Sequence, residues 1–159
     1  MIFRAMRLLG ALAVLGIGAV HLQRYFGADY RSIPTIGPLF MLNAISAGIV
    51  AIGLLLPIER TLPPRAAPVW LGSLASSGVA IGAGSLAALF ISENGGLFGF
   101  HETGHGTPIL LAIIAESATI LLLAPVAAAC FARALAERRT AGTRRQPARP
   151  AGSSPDAVR

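Results

Sequence analysis

Four long stretches without charged side chains dominate this sequence of 159 residues. Three of them, 8–23, 32–58 and 66–92, contain no Arg, Lys, Asp or Glu, and the fourth, 103–132, contains only Glu116. A helix of about 20 apolar residues crosses the hydrocarbon core of a bilayer. The sequence therefore predicts an all-α, polytopic membrane protein that forms a four-helix transmembrane bundle. Its helices are predicted near residues 5–24, 36–57, 68–91 and 108–131.

Composition disfavours the main soluble classes. Charged residues make up 13% of the chain, whereas soluble domains have roughly 25%, and a disulfide scaffold needs more than the single Cys130. One alternative stays open for the first block, because its charged start and apolar run also fit a cleavable signal peptide, although no clear cleavage motif follows. The membrane domain is predicted to span residues 1–136, and the Arg- and Pro-rich residues 137–159 to form a disordered cytoplasmic tail.

The distribution of arginine predicts the orientation. The chain has 13 basic residues, all Arg, and a formal net charge of +6. With the N-terminus in the cytoplasm, only Arg24 and Arg31 lie on the outer side, which satisfies the positive-inside rule. We therefore expect both termini in the cytoplasm and a multi-pass protein of the bacterial plasma (inner) membrane. Its partner is the lipid bilayer and not nucleic acid, because the arginines flank apolar helices.

Two small residues on one face of the third helix indicate close helix packing. Gly78 and Gly82 form a GxxxG pair, and small residues let two backbones approach each other closely. The pair serves either packing within the chain or dimerisation. Four helices in one chain favour the first interpretation.

Residues 101–105, His-Glu-Thr-Gly-His, match the HExxH zinc motif. The chemistry of that motif needs a helix, which places both His side chains on one face. Gly104, Gly106 and Pro108 disfavour such a helix, so we expect a solvated outer loop without a preorganised metal site. Adventitious metal binding by His101 and His105 is a weaker alternative.

Polar side chains inside the predicted helices lie at similar depths. Glu116 and Asn43 fall about 12 Å and 10 Å from the outer starts of their helices at 1.5 Å per residue, and His21 and Ser85 lie in the same half of the bilayer. Glu116 is expected to point into the bundle towards Asn43, with Ser85 or His21 as further partners. It either forms a structural hydrogen bond there or is a proton, ion or ligand site, since a charge at helix centre costs about 2.5–3.5 kcal/mol. For Asn43 and His21 the structural interpretation is preferred.

Several segments resemble a pattern in small four-helix integral membrane proteins of high-GC bacteria whose activity is uncharacterised. These segments are residues 21–44 and 99–102, together with Glu116. In general plan the chain also resembles the DoxX-like four-helix membrane proteins, although no diagnostic motif matches. The resemblance covers residues 8–130. It implies an integral membrane protein and carries over no catalytic residue.

Two functions are expected on this basis. The first is a non-enzymatic accessory subunit or small carrier with a polar cluster in the outer half of the bilayer, acting with a membrane-protein partner or as a homo-oligomer. The second is a membrane enzyme that uses that cluster or the outer His loop for redox or metal chemistry. The sequence assigns neither a catalytic residue nor a cofactor.

Overall fold

The computed structural model describes residues 1–103 and 106–144. Within these ranges the chain is helical and contains no β-strand. Four helices are long and apolar enough to cross a membrane, which confirms the prediction of an all-α chain with four such helices. The helices are α1 Ile2–Gly27, a 3₁₀ helix Tyr30–Ser32, α2 Ile36–Leu55, the short α3 Ile58–Thr61, α4 Ala67–Asn94 and α5 Thr107–Arg144.

Most helix ends lie within a few residues of the predicted ones, but α5 is much longer than expected. Residues 137–144 belong to α5, whereas the sequence analysis places them in the tail; a disordered cytoplasmic tail stays a prediction. The local reason is helix propensity, since residues 133–139, which lead into this stretch, are all Arg, Ala, Leu or Glu. Arg133 Nε also lies 3.0 Å from Glu137 Oε1, one turn further along the helix. The rest of the predicted tail, 145–159, lies outside the described residues.

The long helices do not all pack against each other to the same extent, and the main buried core lies towards one end of the bundle. Helix α1 packs against α2 and α5, α4 packs against α5, and α2 and α4 contact each other less. We call the end that carries Arg7 and α3 the Arg7 end, and the end that carries the 3₁₀ helix and the 95–106 connection the Glu102 end. The main buried core lies towards the Arg7 end and consists of Ala11, Val14, Ala47, Val50, Ala51, Leu54, Ala75, Leu123, Val126 and Ala127.

The two glycines of the GxxxG pair lie at the contact between α4 and α5. A Cβ atom at Gly78 would come 2.5 Å from Leu123 Cδ1, and one at Gly82 would come 3.0 Å from the carbonyl oxygen of Glu116. Neither position has room for a side chain. Both glycines therefore allow close packing within this chain. This close approach fixes the depth at which Glu116 faces the neighbouring helices.

Candidate functional site

A cavity of about 370 Å³ lies between the four long helices towards the Glu102 end. Its wall is mostly apolar, but each long helix contributes one polar side chain from the predicted cluster. These side chains are His21 from α1, Asn43 from α2, Ser85 from α4 and Glu116 from α5. The cavity is within the size range of small-molecule sites, which combine an apolar wall with a few polar groups.

Asn43 and Ser85 join α2 to α4 across the cavity. Asn43 Nδ2 donates a hydrogen bond to Ser85 Oγ at 2.6 Å. Asn43 Oδ1 is buried and has no hydrogen-bond partner among the described residues. The expected hydrogen bond from Glu116 to Asn43 is therefore not formed. The depth of both residues agrees with their helix positions, but Asn43 turns towards α4 rather than α5.

Glu116 is buried and its carboxyl group is under-satisfied. The residue is 2% exposed, and Oε2 has no hydrogen-bond partner in residues 1–103 and 106–144. An unsatisfied buried polar group costs about 1–3 kcal/mol, and an ionised carboxylate costs more. A carboxyl group placed on a cavity wall at such a cost is a candidate for ligand contact.

His21 is fixed in one tautomer by its own helix. Its Nδ1 lies 2.9 Å from the carbonyl oxygen of Ile17. Because a carbonyl oxygen only accepts, Nδ1 carries the hydrogen and the neutral ring presents Nε2 as an acceptor. The ring packs at 4.8 Å from the ring of Phe40, which also lines the cavity.

A second polar cluster closes the Glu102 end and was not predicted from the sequence. Arg24 donates to the hydroxyl oxygen of Tyr30, and Tyr30 donates to Glu102 Oε2. Arg24 Nη2 also lies 3.3 Å from Glu102 Oε2, and its guanidinium carbon is 4.5 Å from the centroid of the Tyr30 ring. We call these three residues the Arg24 cluster. It ties the end of α1, the 3₁₀ helix and the 95–106 connection together.

Local backbone features bring the three segments to one place. A Cβ atom at Gly37 would lie 2.8 Å from the carbonyl oxygen of Tyr30, so only glycine lets the 3₁₀ helix fold against the start of α2. Ser92 Oγ accepts from the backbone nitrogen of Glu102 at 3.0 Å and donates to the carbonyl oxygen of Phe100 at 3.3 Å. Ser92 therefore holds the connection against the end of α4.

Part of the 95–103 segment packs against the bundle, although five of its nine residues are exposed. The Glu102 side chain is only 10% exposed, and the Phe100 ring packs at 5.4 Å from the ring of Tyr30. The sequence held one hint of this contact, because Tyr30 and Glu102 both lie in the segments on which the resemblance to small four-helix membrane proteins is based. Local sequence reasoning could not show that they touch.

The structure gives little support for a zinc site at the HExxH motif. Residues 101–103 are not helical, and His101 is exposed. His105 lies outside the described residues, so the two-histidine alternative stays a prediction. Across the ranges that the structure covers, no group of three or more His, Cys, Asp or Glu side chains is placed to hold a metal ion.

Comparisons with protein-family models, curated proteins and solved structures give no match to this chain.

Because of Tyr30, the stability of the folded protein is expected to depend on pH in the alkaline range. Burial, and then the hydrogen bond to Glu102, raise the pKa of Tyr30 from 10.0 to about 12. Between these values the unfolded chain loses the phenolic proton while the folded chain keeps it. The contribution of Tyr30 to the free energy of unfolding is therefore complete below pH 10 and is lost as the pH rises towards 12. We expect the melting temperature to fall less steeply over this range in Tyr30→Phe than in the wild type. Tyr25→Phe is the control and should follow the wild type; identical slopes for all three proteins would contradict the prediction.

Proposed function

We propose that this chain is a non-enzymatic, multi-pass protein of the plasma (inner) membrane that binds a small amphipathic molecule and acts as a small carrier. One observation carries the proposal: the four long helices each place a polar side chain on one otherwise apolar cavity. A ligand with an apolar body and one polar end matches such a wall.

The cavity reaches the bundle surface between α2 and α4. Leu39 and Leu42 of α2 line it and are 41% and 60% exposed, and Gly84 of α4 lines it and is exposed as well. The contact between these two helices is sparse. In a membrane this side of the bundle faces lipid, so an amphipathic ligand enters laterally from the bilayer.

The arginine asymmetry supports an orientation with the Glu102 end outside. Among the arginines in residues 1–103 and 106–144, only Arg24 and Arg31 lie at that end, and the positive-inside rule favours the side with the smaller number of basic residues as the outer one. The ligand then enters from the outer leaflet. A periplasm-active reporter inserted after Gly99 should be active, and activity of a cytoplasm-specific reporter there would reverse the orientation.

A carrier is preferred to an accessory subunit because the cavity is completed by helices of one chain. A subunit whose only task is to dock on a partner does not need an internal cavity with a buried carboxyl group. Membrane-protein partners and homo-oligomers remain compatible with this proposal, since large apolar side chains are exposed along all four long helices.

The test is a variant that fills the cavity without disturbing the core. A Cβ atom at Gly84 meets no atom within 4 Å, so Gly84→Leu should fold and occupy part of the cavity. Gly48 is the matched control, because a Cβ there also meets nothing within 4 Å and the residue does not line the cavity. Mass spectrometry of protein purified in mild detergent should find a bound small molecule in the wild type and Gly48→Leu, and much less in Gly84→Leu. Equal amounts in all three, or no bound molecule in the wild type, would contradict the proposal.

A further inference from the structure

Residues on the cavity wall carry hydrogen-bond acceptors that have no partner among the described residues. Glu116 Oε2 and Asn43 Oδ1 are buried without a partner among the described residues, and the neutral His21 ring presents Nε2 because Nδ1 donates to Ile17. One of the two N–H groups of the Asn43 amide donates to Ser85 Oγ. A ligand that satisfies the free acceptors must therefore bring hydrogen-bond donors.

The charge of the ligand depends on Glu116. The titratable or charged side chains that line the cavity are His21, Arg24, Glu102 and Glu116. Arg24 and Glu102 form an ion pair and contribute no net charge together. Helices α2 and α4 contribute only uncharged polar side chains to the lining, namely Asn43, Ser46, Ser85 and Ser92.

We infer that the cavity takes a lipophilic amine, whose ammonium group pairs with the carboxylate of Glu116; this inference rests on the proposed function. Before binding, the neutral carboxylic acid is the form with the lower burial cost. On binding, the O–H bond of Glu116 breaks, its proton passes to water, and the carboxylate accepts hydrogen bonds from the ammonium. One positive charge enters the cavity and one proton leaves it.

Two further features fit an ammonium group. Charge-assisted hydrogen bonds are roughly twice as strong as neutral ones, and Asn43, whose Oδ1 has no partner among the described residues, lines the same cavity. The ring of Phe40 also lines the cavity, and an aromatic face attracts a cation. An anionic ligand would instead meet the carboxyl group of Glu116 and the unpartnered amide oxygen of Asn43, so it is disfavoured.

The experiment compares three probes that share one apolar cage and differ in the polar end. Adamantylamine, adamantanol and adamantanecarboxylate are titrated into the full chain in dodecyl maltoside at pH 8 and followed by calorimetry. We expect the amine to bind at least about tenfold more tightly than the alcohol, which corresponds to about 1.4 kcal/mol, and the carboxylate to bind most weakly. The same titrations at pH 6, in two buffers of different ionisation enthalpy, should show about one proton released per amine bound, as the exchange at Glu116 requires.

Two variants assign the effect to Glu116. In Glu116→Gln the amine should bind no better than the alcohol, and the proton release should vanish. Thr119→Val is the control, because Thr119 is buried on the same helix with an unpartnered hydroxyl but does not line the cavity; it should keep the preference for the amine.

The outcomes separate this inference from the proposed function. If amine and alcohol bind equally, and Gly84→Leu weakens both, the cavity binds ligands but the inference about charge is wrong. If the amine does not bind the wild type, or if it binds Glu116→Gln and the wild type with equal affinity, the inference is also wrong. The carrier proposal is tested independently by whether a small molecule co-purifies with the wild-type protein, since that experiment uses no added amine.

Discussion

Replacing Glu102 with leucine is expected to lower the free energy of unfolding by about 3 kcal/mol. Breaking a buried ion pair by removing one partner typically costs about 3–5 kcal/mol, because the other charge stays buried without compensation. The Arg24 side chain is 19% exposed and keeps some access to water, so the lower end of this range applies. Tyr30 also loses the acceptor of its hydrogen bond. Chemical or thermal unfolding in detergent measures the change.

A double-mutant cycle and an exposed ion pair provide the controls. Arg24→Leu/Glu102→Leu removes both charges and should recover a large part of the loss, so the coupling energy of the cycle should be well above zero. Asp29 and Arg31 form an ion pair in the same region at 3.0 Å, but their side chains are 67% and 56% exposed. Asp29→Asn should therefore cost less than about 1 kcal/mol. A loss as small for Glu102→Leu as for Asp29→Asn would show that the Arg24 cluster contributes little.

Local sequence properties were sufficient for the helices and for the depth of the polar residues. The length of a block and its lack of charge are properties of that block alone, and they predicted all four long helices. The rise of 1.5 Å per residue then placed His21, Asn43, Ser85 and Glu116 at similar depth. The rotation of each helix about its axis depends on its neighbours, and the sequence does not determine it. For this reason the partner of Asn43 was predicted to be Glu116 and is Ser85.

Contacts between distant segments could not be predicted from local rules. Arg24 and Glu102 are 78 positions apart, and their contact depends on how two connections fold over the same end of the bundle. The same limit applies to Arg7, which the sequence assigned only a role in orientation. Its side chain is 8% exposed and lies 2.5 Å from Glu59 Oε1, which joins α1 to α3. In both cases an arginine side chain with little solvent exposure pairs with a carboxylate in a connecting segment. The hydropathy of a connecting segment does not predict where its side chains lie.

Replacing Glu116 with leucine is expected to raise the stability of the ligand-free protein. If the carboxyl group were a structural hydrogen bond to Asn43, leucine would leave a partner unsatisfied and lower the stability. The structure shows no such bond, because Glu116 Oε2 and Asn43 Oδ1 both lack partners in the part of the chain described. Leucine removes the burial cost of the carboxyl group, so the free energy of unfolding should increase by about 1–3 kcal/mol.

Thermal unfolding in detergent without added amine measures this change, and two variants calibrate it. Glu116→Gln keeps a buried polar group and should leave the stability close to that of the wild type. Thr119→Val removes another unpartnered buried hydroxyl and should give a smaller increase, while amine binding is kept. A loss of more than about 1 kcal/mol in Glu116→Leu would show that the carboxyl group has a partner in the folded protein. A gain in stability together with a loss of amine binding would show that Glu116 is retained for ligand binding at a cost to the fold, as functional groups often are.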